Sequence, residues 1–120
     1  MTASHPGQAE RAAAFVALHE APRGFIIPNP SDAGSARLLQ AMGFKALAST
    51  SAGFAFSRAR PDYGIERDAL MRHLAELCAA TSLPVNADLE NGFGDDPAEG
   101  ARTIELAAAA GVVGGSIEDS

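Results

Sequence analysis

Cysteine appears once, as Cys78, tryptophan is absent and tyrosine appears once. A lone thiol excludes an intrachain disulfide and any CxxC zinc or redox motif, and it fits a reducing cytoplasm. Basic residues number 9 against 15 acidic ones, giving a net charge of -6. So few scattered cations do not assemble a nucleic-acid or anionic-membrane surface. No apolar run approaches the roughly 18 residues of a membrane span. The N-terminus, MTASHPGQAERAAAF, lacks the basic-then-apolar order of a signal peptide. Large apolar side chains are scarce as well: 26 residues are Ala, against 10 Leu, 5 Ile, 4 Val and 6 Phe. The 120 residues therefore support one small domain with a thin core, preceded by a disordered tail over 1–7.

What is present alternates short apolar runs with helical segments. Gln8 to Glu20 is Ala-rich, with Ala12, Phe15, Val16 and His19 on one face, and predicts an amphipathic helix. Phe25-Ile26-Ile27, bounded by Gly and Pro, predicts a first strand. Ser31 or Asp32 can cap a second helix running to about Met42, and Gly43 suits its left-handed C-terminal residue. Lys45 to Ser49 predicts a second strand, and Thr50 to Tyr63 a long loop. Glu66 to Ala80 predicts a third helix with Leu70, Leu74, Leu77 and Cys78 inward; Val85 to Glu90 predicts a third strand. Asp96-Pro97-Ala98-Glu99 is a helix start, with an N-cap, proline at the first position and Glu at the third. That helix runs to Ala110, and Val112 to Ile117 predicts a fourth strand. Four strands and four helices in this alternation imply an α/β fold with parallel strands and right-handed crossovers. An open doubly wound sheet and part of an eight-fold barrel both satisfy it.

Chemistry concentrates at the C-terminal ends of the strands, the edge where parallel α/β folds bind ligands. Asp88 and Glu90, two apart in a strand, are expected on one face. Two partly buried carboxylates side by side repel unless a cation or proton intervenes. Glu118, at the next strand end, adds a third. Oxygen donors without His or Cys suit Mg²⁺, or Mn²⁺, better than zinc. Asp32, Asp95 and Asp96 read as turn and cap residues, His5, His19 and His73 as surface or core histidines, and Cys78 as a core thiol. No GK[ST] follows the glycine-rich segments, so neither is a P-loop.

The segments FIIPNPSDAGSARLLQAMGFKALASTSAGFAFS, RPDYG, PVNADLENGFGDD and AGVVGGSIEDS resemble the isocitrate lyase/phosphoenolpyruvate mutase superfamily, from Phe15 to Ser120. The resemblance rests on four elements in order: Thr50-Ser51-Ala52-Gly53, Pro61-Asp62-Tyr63-Gly64, Asp88-Leu89-Glu90-Asn91-Gly92-Phe93-Gly94 and Ile117-Glu118-Asp119. It implies a TIM-type (β/α)8 barrel and a Mg²⁺-dependent lyase or phosphonomutase. Such enzymes cleave or rearrange a C–C or C–P bond beside a 2-oxo or 2-hydroxy acid through an enolate. By position, Asp88 resembles the direct metal ligand, and Glu90, Glu118 and Asp62 the acids holding its waters. Thr50, Ser51 and Ala52 resemble the loop that binds the substrate carboxylate, which makes Ser51 and Asp62 the catalytic candidates.

A full barrel needs about 250 residues, and the lyase branch carries its acid/base cysteine on a later loop, so this chain reads as the N-terminal half of such an enzyme, inactive alone. The alternative is a catalytically incompetent half-barrel acting as an interaction or assembly module. A flavodoxin-like binding domain would need a fifth strand and a closing helix. Expected partners are a small carboxylic acid and further copies of the chain, paired through sheet edges or as the family's tetramer.

Overall fold

A computed structural model describes residues 5–119. Its elements run α1 (Gln8–Glu20), α2 (Ala33–Ala41), β1 (Leu47–Ala48), α3 (Ser51–Ser57), α4 (Arg67–Ala80), β2 (Val85–Asp88), α5 (Pro97–Ala110) and β3 (Gly114–Ser116). The strands are parallel in the order β1-β2-β3, with Leu47 opposite Val85 and Asn86 opposite Gly114. Parallel neighbours joined through helices are the α/β architecture expected.

Two expectations fail. Phe25-Ile26-Ile27 is extended but joins no ladder, so the described residues hold three strands rather than four. Pro28 and Pro30 follow the segment and have no N–H to donate, so pairing cannot propagate. The contact that remains is local: the Ala48 N–H donates to the Pro28 carbonyl at 3.0 Å, and Asn29 Nδ2 donates to the Ala48 carbonyl at 3.0 Å. The second failure is the loop over 50–63, which contains α3 and makes five helices rather than four. Thr50 caps α3, its Oγ1 accepting from the Gly53 N–H at 3.1 Å. Phe54 and Ala55 then turn inward. Gly53 is required by the cap itself, since a Cβ there would sit 2.7 Å from Thr50 Cγ2.

Leu47, Val85, Ala87 and Leu89 from the strand segments meet Leu70, Leu74 and Leu77 from α4 in the core. Cys78 completes the buried stripe of α4 as expected. Gly111 ends α5 with φ 112°, and a Cβ there would lie 3.2 Å from Cys78 Cβ. On α1 the buried residue is Arg11, not the expected Val16, which is 54% exposed. Arg11 reaches the far end of α4, donating from Nη1 to the Cys78 and Leu83 carbonyls and from Nε to the Pro6 carbonyl. A guanidinium in this position satisfies orphan carbonyls at a helix C-terminus. Of the expected tail over 1–7, residues 1–4 lie outside the described residues. His5 and Pro6 are fastened, His5 Nε2 lying 3.0 Å from the Ala79 carbonyl oxygen. No helix among the described residues is long and apolar enough to cross a membrane.

Candidate active-site rim

β2 delivers Asp88 to the C-terminal edge of the sheet, where the turn into α3 meets it. The Ser51 backbone N–H and hydroxyl both donate to Asp88 Oδ2, at 3.1 and 2.8 Å. Oδ1 accepts from the Glu90 N–H at 3.2 Å, and the Asp88 N–H donates to Ser49 Oγ at 2.8 Å. A carboxylate offers about four acceptor positions; three are used, which leaves Asp88 able to give one more oxygen lone pair to a cation.

Glu90 does not share a strand face with Asp88. The strand ends at Asp88, and Glu90 takes a left-handed φ of 54°. That turn folds its carboxyl inward, to 3% exposure. Burial, then the neighbouring carboxylates of Asp62, Asp88 and Glu118, push the Glu90 pKa up to about 7. Four acids therefore share one electrostatic field, although they come from three separate segments. Glu118 is tied in by its N–H, which donates to the Glu90 carbonyl at 2.7 Å, and its side chain is exposed. Asp62 is exposed on the α3–α4 loop and accepts the Tyr63 N–H.

Among the described residues no three His, Cys, Asp or Glu side chains converge as a metal cage. The donor chemistry fits a hydrated ion instead: Mg²⁺ commonly takes one or two protein carboxylates and keeps several waters. One free position on Asp88, with repelling carboxylates around it, matches that pattern.

The other candidates separate cleanly. Thr50 is occupied as the α3 cap, the Ser51 N–H is committed to Asp88, and Ala52 is half-buried in the first turn. Asp32 caps α2 in a capping box with Ser35, whose bonds hold its carboxyl below the usual range. Asp96 caps α5 by accepting the Ala98 N–H. Glu99 does not complete a capping box and pairs with Arg67 at 2.7 Å. One participant escaped the sequence reading. Ser49 looked like an ordinary strand residue, but its hydroxyl bridges β1 to Asp88. His73 is buried and stacks on Phe54, with ring centroids 4.0 Å apart.

A family model described as Phosphoenolpyruvate phosphomutase matches residues 15–120. The chain belongs to this family. A candidate lyase/mutase from Burkholderia cenocepacia J2315 superposes with a TM-score of 0.93 at 65% identity, over 94% of this chain and 41% of that one. The crystal structure of 2,3-dimethylmalate lyase, a PEP mutase/isocitrate lyase superfamily member, gives a TM-score of 0.80 at 33% identity, covering 91% and 39%. The 2-methylisocitrate lyase of Bacillus subtilis is 36% identical over 88 residues, 72% of this chain and 29% of that enzyme. The chain thus spans less than half the length of these phosphoenolpyruvate phosphomutase-family relatives. Its parallel strand–helix units form part of their barrel-type fold.

Proposed function

We propose that the chain carries the metal- and carboxylate-binding rim of a Mg²⁺-dependent lyase-type enzyme. The reaction is cleavage or rearrangement of a C–C or C–P bond beside a 2-oxo or 2-hydroxy acid, of the 2-methylisocitrate lyase kind. The observation that carries this reading is the anchored Asp88, held by Ser51 on one oxygen and by Glu90 on the other. Asp88 is the direct ligand, and Glu90, Glu118 and Asp62 hold the ion's waters. Mg²⁺ bound there would polarise the keto oxygen and stabilise developing enolate charge. Ser51 keeps Asp88 aimed, and Thr50-Ser51-Ala52 faces the substrate carboxylate. Because Asp88 engages both the Ser51 N–H and the Ser51 hydroxyl, the Ala52 N–H is the donor of this turn available to an incoming anion. With the single thiol reduced, the enzyme belongs in the cytoplasm, and it works as a homo-oligomer.

Calorimetric titration of the chain with Mg²⁺ tests the reading. Binding should vanish in Asp88→Ala and weaken less in Glu90→Gln, which acts through water. Equal binding by the parent and Asp88→Ala defeats the assignment.

A second reading has its own observation. A groove beside β3, lined by Leu89, Ile104, Val113 and Ile117, leaves apolar surface open next to the outer edge of β3, which no strand among the described residues pairs. On that reading the chain is an assembly module without chemistry. Sedimentation of a monomer over a wide concentration range would remove it.

A further inference from the structure

The segment between α3 and α4 folds around a cleft of about 400 Å³ lined by Phe54, Arg58, Arg60, Gly64, Ile65, Glu66 and Ala69. None of the rim acids lines it. Its apolar wall is Phe54, backed by the parallel ring of His73, and the Arg58 guanidinium lies 5.1 Å from the Phe54 ring centre. The ion pairs among the described residues join Arg67 to Glu99 and Arg102 to Glu105; neither Arg58 nor Arg60 has one. Two uncommitted guanidiniums beside a concave space are unusual in a chain whose net charge is -6. Glu66 also borders the cleft; it stands at the N-cap of α4 without making a side-chain capping bond. The cleft therefore holds two cations against one carboxylate, a local excess of positive charge. Guanidinium forks match the paired oxygens of carboxylate and phosphoryl groups.

We propose that this cleft binds a small molecule through a phosphoryl or carboxylate group, held by Arg58 and Arg60 against the Phe54 wall. The site is separate from the metal reading and does not depend on it. An anion would be repelled from the field of Asp62, Asp88, Glu90 and Glu118, so the two sites are chemically complementary.

Titration of the chain with inorganic phosphate and, separately, with malonate at constant ionic strength tests it, followed by NMR. Saturable binding of one equivalent is expected, and the tighter of the two probes tells phosphoryl from dicarboxylate chemistry. The Arg58→Gln/Arg60→Gln double variant should weaken it at least about tenfold, the equivalent of ~1.4 kcal/mol. The His73 ring supplies an independent readout. Its pKa is lowered by burial first and by Arg58 among its charged neighbours, while Glu76 and Asp32 act in the opposite sense. An anion neutralising Arg58 should move the His73 titration to higher pH, a shift that a purely structural role for Arg58 would not produce. Arg58→Lys, which keeps the charge and loses the fork, should fall between parent and double variant. Absence of saturable binding, or undiminished binding by the double variant, would each overturn the proposal.

Discussion

Ser51 holds Asp88 by two donors on one oxygen, its backbone N–H at 3.1 Å and its hydroxyl at 2.8 Å. The pair joins the start of α3 to the end of β2, so a local cap and a site geometry are one structure. Ser51→Ala removes the hydroxyl and leaves the amide. Loss of a hydrogen bond to a charged, partly buried group costs about 1.5–3 kcal/mol. Urea unfolding should show a decrease in that range. Under the proposed function, Mg²⁺ affinity should fall several-fold without vanishing, as calorimetry would register.

His73 predicts a pH dependence of stability. Burial lowers its pKa below the ordinary imidazole value of 6.5, so the unfolded chain binds the proton more readily. Its contribution is complete above pH 6.5 and is lost as the pH falls towards the lowered folded value. Nε2 has no hydrogen-bond partner, so a proton placed there finds no acceptor. Glu90, with its raised pKa, acts in the opposite sense, so the difference is the test: relative to His73→Phe, which keeps the stack on Phe54, the parent should lose melting temperature as the pH falls below about 6.5. Equal slopes in both proteins would contradict this account.

Arg11, the single arginine or lysine of α1, is predicted to matter for stability. Its guanidinium serves three carbonyls, of Pro6, Cys78 and Leu83. Arg11→Ala strands those acceptors and opens a cavity, and a loss of roughly 2–4 kcal/mol is expected from the two effects together. Arg11→Lys should recover part of it. Chemical denaturation of the three proteins provides the comparison.

Cys78 should be chemically silent in the folded protein. Burial pushes its thiol up to about 11, so little thiolate exists at neutral pH. Labelling by a thiol-reactive dye should track global unfolding, and rapid labelling under native conditions would show that α4 opens locally.

The parts of this architecture that were legible in advance share a cause: the signal lay within one turn of the residue concerned. Asp32, Asp96 and Pro97 announce helix starts through short-range bonding, and Leu70, Leu74, Leu77 and Cys78 announce a buried face through spacing. The misses depend on neighbours far along the chain. Phe25 to Ile27 has strand composition, but the prolines that follow deny it a ladder. Ser51 to Ser57 reads as a loop from its small residues, and the Thr50 cap together with burial of Phe54 against His73 makes it a helix. Arg11 looks solvent-bound until the end of α4, 67 residues away, is brought beside it. At the rim, the residue types were legible while the geometry was not. Glu90 stands two places from Asp88, but its left-handed backbone sends its carboxyl inward rather than alongside.

The two margins of the sheet are not equivalent. Ala48 spends both its N–H and its carbonyl on the Pro28–Asn29 segment, so the β1 margin has nothing left to recruit a further strand. Among the described residues, the outer edge of β3 is therefore the margin at which the sheet can be extended by a further strand.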